Sequence, residues 1–168
     1  GEVLGTFQSF VDPGHALPYF ITELTGITDQ MLVSAPFIDE ILPTLFEFLG
    51  SSDETVVVAH NSPFDLSFLK AASIAHEMPW PEYVTVDTAR LARAVLERDE
   101  VINCKLSTLA QFFGATTPPN HRALDDALAT VDVLHGLIER LAGFNIYNFE
   151  ELRSFPSKKR RAKRPIAE

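Results

Sequence analysis

The sequence predicts an α/β layered domain built on a mixed sheet, and three observations predict it. Two short β-branched runs, residues 55–59 (TVVVA) and 84–86 (VTV), have the length and composition of buried strands. Each run leads directly into a helix start. A stretch from Ala123 to Ala142 then repeats apolar residues at helical spacing, long enough to form the main helix of one layer.

The remaining elements follow in order. Thr6 to Val11 (TFQSFV) reads as a strand stopped by the turn sequence Asp12-Pro13-Gly14. Thr28 is placed to cap a short helix beginning at Asp29. Between Phe37 and Leu49, Phe37, Ile38, Ile41, Leu42, Leu45, Phe46 and Leu49 recur at helical spacing, and Gly50 stops the run. The 55–59 strand feeds a helix opened by Asn61-Ser62-Pro63. Asp65 therefore emerges at the carboxyl end of a strand, where open α/β sheets place their sites. The second strand feeds a helix from Thr88 to about Leu96, and Leu106–Phe113 makes another, closed by Gly114. The loop 116–120 (TTPPN) delivers His121 to the long helix, which Gly143 ends. Residues 144–155 add one short turn, so residues 1–155 read as one domain and 156–168 as a basic linker or tail.

Composition narrows the function. With 168 residues, 46% of them hydrophobic and 13 phenylalanines, the chain can bury a core as one domain. No run approaches about 18 apolar residues and no basic-then-apolar leader precedes the fold, so no membrane partner is expected. Cys104 is the only cysteine, which excludes an internal disulfide, fits a reducing cytoplasm and leaves a structural zinc site unsupported. The net charge of −9 hides two parts. Residues 158–168 hold six lysines and arginines against one glutamate, while the other 157 hold eight basic and 22 acidic residues. So acidic a body is a poor sink for DNA phosphates, and weak nucleic-acid affinity is expected of it alone.

The chemistry is concentrated in residues 61–65 (NSPFD) and 121–126 (HRALDD). On a helical wheel, Ala123, Leu124, Ala127, Leu128, Val131, Val133, Leu134, Leu137, Ile138 and Leu141 share one arc, and Asp125, Asp132, Gly136, Glu139 and Arg140 face water. Asp126 falls at the edge of the apolar arc, between Val133 and Leu137. Asp65 falls inside the arc of Phe64, Phe68 and Ala75. A carboxylate facing a core is costly without a partner, and a divalent cation is one such partner. Simpler readings also stand. Ser62-x-x-Asp65 with Pro63 is a good helix cap, Asp125 and Asp126 complement a helix dipole, and a histidine before a helix is commonly a solvated loop residue.

The strings VVVAHNSPFDLSFL (56–69) and NHRALDDALATVDVL (120–134) resemble the second and third motifs of the DEDDh 3′–5′ exonucleases, the family of the epsilon proofreading subunit of bacterial DNA polymerase III. The likeness extends through LTGIT (24–28), VDTARLAR (86–93) and KLSTLAQFFGA (105–115). It implies a ribonuclease H-like fold, with Asp65 and Asp126 as metal-site carboxylates, His121 as general base, and His60, Asn61 and Phe64 against the terminal nucleotide. Oxygen ligands point to Mg²⁺ or Mn²⁺, two per complete site, rather than zinc. The implied substrate is a single-stranded DNA 3′ end, or RNA, in proofreading or repair.

One departure stands out. The family's first motif, an Asp-x-Glu on a first strand, has no counterpart here, since Asp12 lacks a glutamate two residues on and Asp53-Glu54 lies in a loop. With Gly1 rather than methionine at the start, the chain reads as lacking the first two strands and as inactive by itself. LIERLAGFNIYNFEEL (137–152) and the basic tail also resemble actinobacterial proteins that join such an exonuclease to a GIY-YIG endonuclease domain. The contrasting expectation is a non-catalytic interaction module on the same fold, docking to a polymerase or repair partner.

Overall fold

In the computed structural model, residues 2–155 are described. The elements run α1 (Tyr19–Thr25), α2 (Asp29–Leu32), α3 (Ile38–Leu49), β1 (Val56–Ala59), α4 (Ser62–Ala75), β2 (Val84–Asp87), α5 (Thr88–Val95), α6 (Leu106–Phe113), α7 (Ala123–Leu141), a 3₁₀ turn (Ala142–Phe144) and α8 (Phe149–Ser154). The basic tail lies outside the described residues.

β1 and β2 pair in parallel, Val56 opposite Val84 through Ala59 opposite Asp87. A parallel pair needs a crossover, and α4 supplies it. The mixed sheet is not seen among the described residues, because Thr6–Val11 is not a strand. A strand exists only through a ladder partner, and this segment finds none. It is held by side chains instead: Phe7 rests on Phe48, with ring centroids 5.5 Å apart. The turn that follows is as expected, with the Gly14 N–H donating to Asp12 Oδ1 at 2.8 Å and Gly14 at φ 73°. α1 was not legible in advance. Its carboxyl end is closed by left-handed Gly26, a common helix stop.

The core is helical. Leu91, Ala92, Val95 and Leu96 from the α5 region, Leu109 and Ala110 of α6, and Ala129, Val133, Leu137 and Leu141 of α7 form one buried cluster, with Val86 of β2 packed against it. α7 therefore buries a narrower and differently aimed stripe than the wheel suggests. Val131 and Ile138 remain 40% and 49% exposed, while Ala129 and Thr130 are buried. Two of the supposed water-facing positions, Asp132 and Gly136, are half-buried. Asp132 accepts hydrogen bonds from the Thr116 N–H (2.8 Å) and hydroxyl (2.9 Å). At Gly136 a Cβ would collide with the Phe113 ring, so only glycine lets α6 approach α7 here.

α4 also turns differently. Its apolar residues surround the helix rather than forming one stripe. The covered side carries buried Ser62 and Ser73 and half-buried Leu66 and Leu69, whereas Phe64 and Phe68 are 61% and 64% exposed. At the amino end of β2, Trp80 packs edge-on against both Phe46 and Tyr83, each centroid pair 5.7 Å apart. The Tyr83 hydroxyl donates to the Gly50 carbonyl at 2.9 Å, fastening this base to the end of α3. No helix among the described residues is long and apolar enough to cross a membrane.

Candidate active site

The carboxyl ends of β1 and β2 position the first half of the site. Asn61 adopts a left-handed conformation (φ 66°, ψ 48°) and is the N-cap of α4 without a side-chain capping bond. The Ser62-to-Asp65 capping box is therefore not how this helix begins, and the Asp65 carboxyl is not spent on it. Pro63 does occupy the first turn, as expected. Asp65 is exposed rather than core-facing as the wheel has it, at the edge of the side of α4 that carries residues 62, 66, 69 and 73. The residue keeps much of its surface in water. Even so, desolvation by the surrounding protein first, and the nearby Asp87 carboxylate second, raise its pKa above the ordinary carboxylate value. Two acidic groups held within electrostatic reach disfavour both being charged.

His60 serves this half as a strut. Its Nε2 lies 3.1 Å from the Cys104 carbonyl and its Nδ1 2.9 Å from the Thr88 hydroxyl. A carbonyl can only accept, so Nε2 carries the proton and Nδ1 accepts from Thr88. Burial lowers the pKa of the ring, which keeps it neutral. Both ring nitrogens are thus engaged within the protein. Phe64 lies exposed beside Asp65, its ring edge-on to Phe68 at 5.1 Å.

The second half is the loop before α7. His121 is exposed and also left-handed, at φ 66°. Asp126 Oδ1 accepts the N–H groups of Asn120 (3.0 Å) and His121 (3.2 Å), so the aspartate pins the backbone that carries the histidine. Asp125, expected in water, is half-buried and accepts the Asn120 side-chain amide at 2.7 Å. Asn120 thus ties both aspartates to the loop. Of the four non-glycine residues with positive φ among the described residues, two are Asn61 and His121. Such conformations cost on the order of 1–3 kcal/mol and collect at functional sites.

The structure joins His60, Asn61 and Asp65 into one group and Asn120, His121 and Asp126 into another. Among the described residues no hydrogen bond or ion pair links the two groups. Nor do these residues contain three or more His, Cys, Asp or Glu side chains gathered to hold a metal ion. Asp65 and Asp126 do not amount to a metal centre by themselves, since Mg²⁺ takes about six oxygen ligands. Two contributors went unrecognised in the sequence, Asp87 and Thr88. An Asp-Thr pair leaving a strand into a helix is a capping signal; its reach across to β1 is visible only in three dimensions.

Comparison with known proteins places this architecture. The exonuclease family profile matches residues 1–134, and the chain belongs to that family. It is 48% identical over its whole length to a Mycobacterium tuberculosis protein named as a bifunctional exonuclease/endonuclease, of which it spans 26%. It is 37% identical, over 91% of its length, to the PolC-type DNA polymerase III of Caldanaerobacter subterraneus subsp. tengcongensis, and 40% identical, over 80%, to that of Clostridium perfringens. It spans 10% and 9% of these polymerases, so all three relatives are far longer than the chain. Exonuclease X, solved in complex with 5′-overhanging duplex DNA, superposes with a TM-score of 0.62, covering 86% of this chain and 77% of that one at 23% identity. That likeness confirms the ribonuclease H-like exonuclease fold.

Proposed function

We propose that this domain is the nuclease part of a 3′–5′ exonuclease that removes mononucleotides from DNA 3′ ends. The observation that carries the reading is the pair of left-handed turns, each delivering a family-motif aspartate with a polar neighbour. His121, on the exposed loop pinned by Asp126, accepts a proton from the attacking water. Asp65, within electrostatic reach of the Asp87 carboxylate, and Asp126 would supply two of the carboxylates for a pair of divalent cations, Mg²⁺ or Mn²⁺. Two carboxylates are too few oxygen ligands for such a pair, so residues 2–155 by themselves are expected not to turn over substrate. The cations, when bound, would stabilise the charge that develops on the phosphate oxygens. Asn61 and Phe64 contact the terminal nucleotide, and His60 supports that contact through its fixed ring.

Relatives that are PolC-type polymerases support a proofreading or repair role beside a polymerase, and the bifunctional relative supports fusion to an endonuclease, with residues 156–168 as the tether and 1–155 as the nuclease domain. The single cysteine fits a cytoplasmic setting. The test uses the full-length protein containing this chain. Single strands labelled at the 3′ or the 5′ end are incubated with Mg²⁺ or Mn²⁺. Labelled mononucleotide should appear at once from the 3′ label, while the 5′ label should give a descending ladder; chelation should stop both. Release from the 5′ end would reverse the polarity. No release, with retained binding to a polymerase, would favour an interaction module.

A further inference from the structure

The structure assigns Asp87 as the positioning residue of the Asn61–Asp65 turn. This rests on the nuclease reading, because the turn matters only if its residues meet substrate. Asp87 Oδ1 accepts three backbone N–H groups: Ala89 at 2.9 Å, Arg90 at 3.2 Å and Asn61 at 3.0 Å. The first two are an ordinary N-cap of α5. The third is not, since it crosses from β2 to the residue leaving β1, 26 positions earlier. The parallel ladder pairs Ala59 with Asp87 and ends there. Beyond it the side chains of two consecutive residues take over. Asp87 holds Asn61, and fully buried Thr88 holds His60. Asn61 lacks a side-chain cap and sits in a conformation that L-residues adopt sparingly. The bond from Asp87 is what retains it there, and with it the direction in which α4 presents Phe64 and Asp65.

Three substitutions in the full-length protein separate this role from plain capping. Asp87→Asn keeps an oxygen able to accept all three bonds. Asp87→Ser keeps a good N-cap but is too short to reach Asn61. Asp87→Ala removes both. Relative to the wild type, kcat should fall about 10- to 100-fold in the Ser and Ala proteins, the scale on which a small displacement of a site group acts. KM should change less, and Asn should restore most of the loss. The melting temperature of the Ser protein should stay near that of the wild type. Exchange of the Asn61 amide hydrogen, read on the same proteins without substrate, should accelerate in Ser and Ala only. Wild-type kcat or unchanged Asn61 exchange in the Ser protein overturns the inference, as do equal losses in Ser and Asn. Absence of nuclease activity in the wild type, together with the expected exchange pattern, sinks the nuclease reading while the role of Asp87 in holding the turn stands.

Discussion

The two turns of the candidate site share a backbone angle and differ in what holds them. Asn61 and His121 both lie at φ 66°. The Asn61 turn is held from outside, by Asp87 on the neighbouring strand and by Thr88 through the ring of His60. The His121 turn is held by its own helix, because Asp126 reaches back only five residues to the His121 N–H. A turn clasped between two strands moves only if the strands move. A loop folded back on its own helix can shift without disturbing the core. The contrast suits the proposed division of roles, with one side positioning a nucleotide and the other bringing up a base.

The largest effect should come from removing His121, the proposed base, on the adjustable side. His121→Ala should lower turnover by about 10²–10⁴-fold, the usual worth of general acid–base catalysis, with little change in substrate affinity. Single-turnover rates alongside binding measurements would show it. A loss confined to affinity would move His121 from proton transfer to substrate contact.

Stability should separate the two aspartates more modestly. Asp126→Ala removes the acceptor of two backbone bonds and should lower stability by about 1–2 kcal/mol, seen as a lower denaturant midpoint. Asp65→Asn should act in the opposite direction. Its raised pKa means that the folded state favours the neutral form, so its stabilising share is present below the ordinary carboxylate pKa and lost as pH rises through the folded value. At neutral pH the amide should therefore melt slightly higher, even as turnover disappears. A lower melting temperature for Asp65→Asn would show that the carboxylate is structural.

The smallest effect is the pH response of the strut. The pKa of His60 is depressed by burial. Its contribution is thus present above the ordinary histidine pKa near ~6.5 and is lost as pH falls through the folded value. Thermal melts from pH 7.5 to 5 should decline more steeply in the wild type than in a His60→Gln protein. Parallel slopes would mean that folding leaves the pKa of the ring unshifted.

Much of this was legible from the chain. The helices α3, α5, α6 and α7 and both strands announce themselves through periodicity and stop signals, because each is dictated by residues a few positions apart. The aspartates of the two motifs are equally local. What escaped depends on partners distant in sequence. Thr6–Val11 reads as a strand stopped by a turn but has no ladder to join among the described residues. The wheel oriented α4 by Phe64 and Phe68, yet the covered side is the one with Ser62, Leu66, Leu69 and Ser73. Gly136 looked like a solvent position until the Phe113 ring lay across it. Asp87 looked like a cap because two of its three bonds are those of a cap.

Trp80 is the only tryptophan in the chain, and it stands between Phe46 and Tyr83 at the amino end of β2, the opposite end of that strand from Asp87. Its emission is therefore a built-in optical gauge of the base, whereas His60, Asn61 and Asp65 sit at the rim. A change in fluorescence on denaturation follows the joining of α3 to the strand pair, and a nucleotide docking at the rim leaves that signal quiet unless the strands themselves shift.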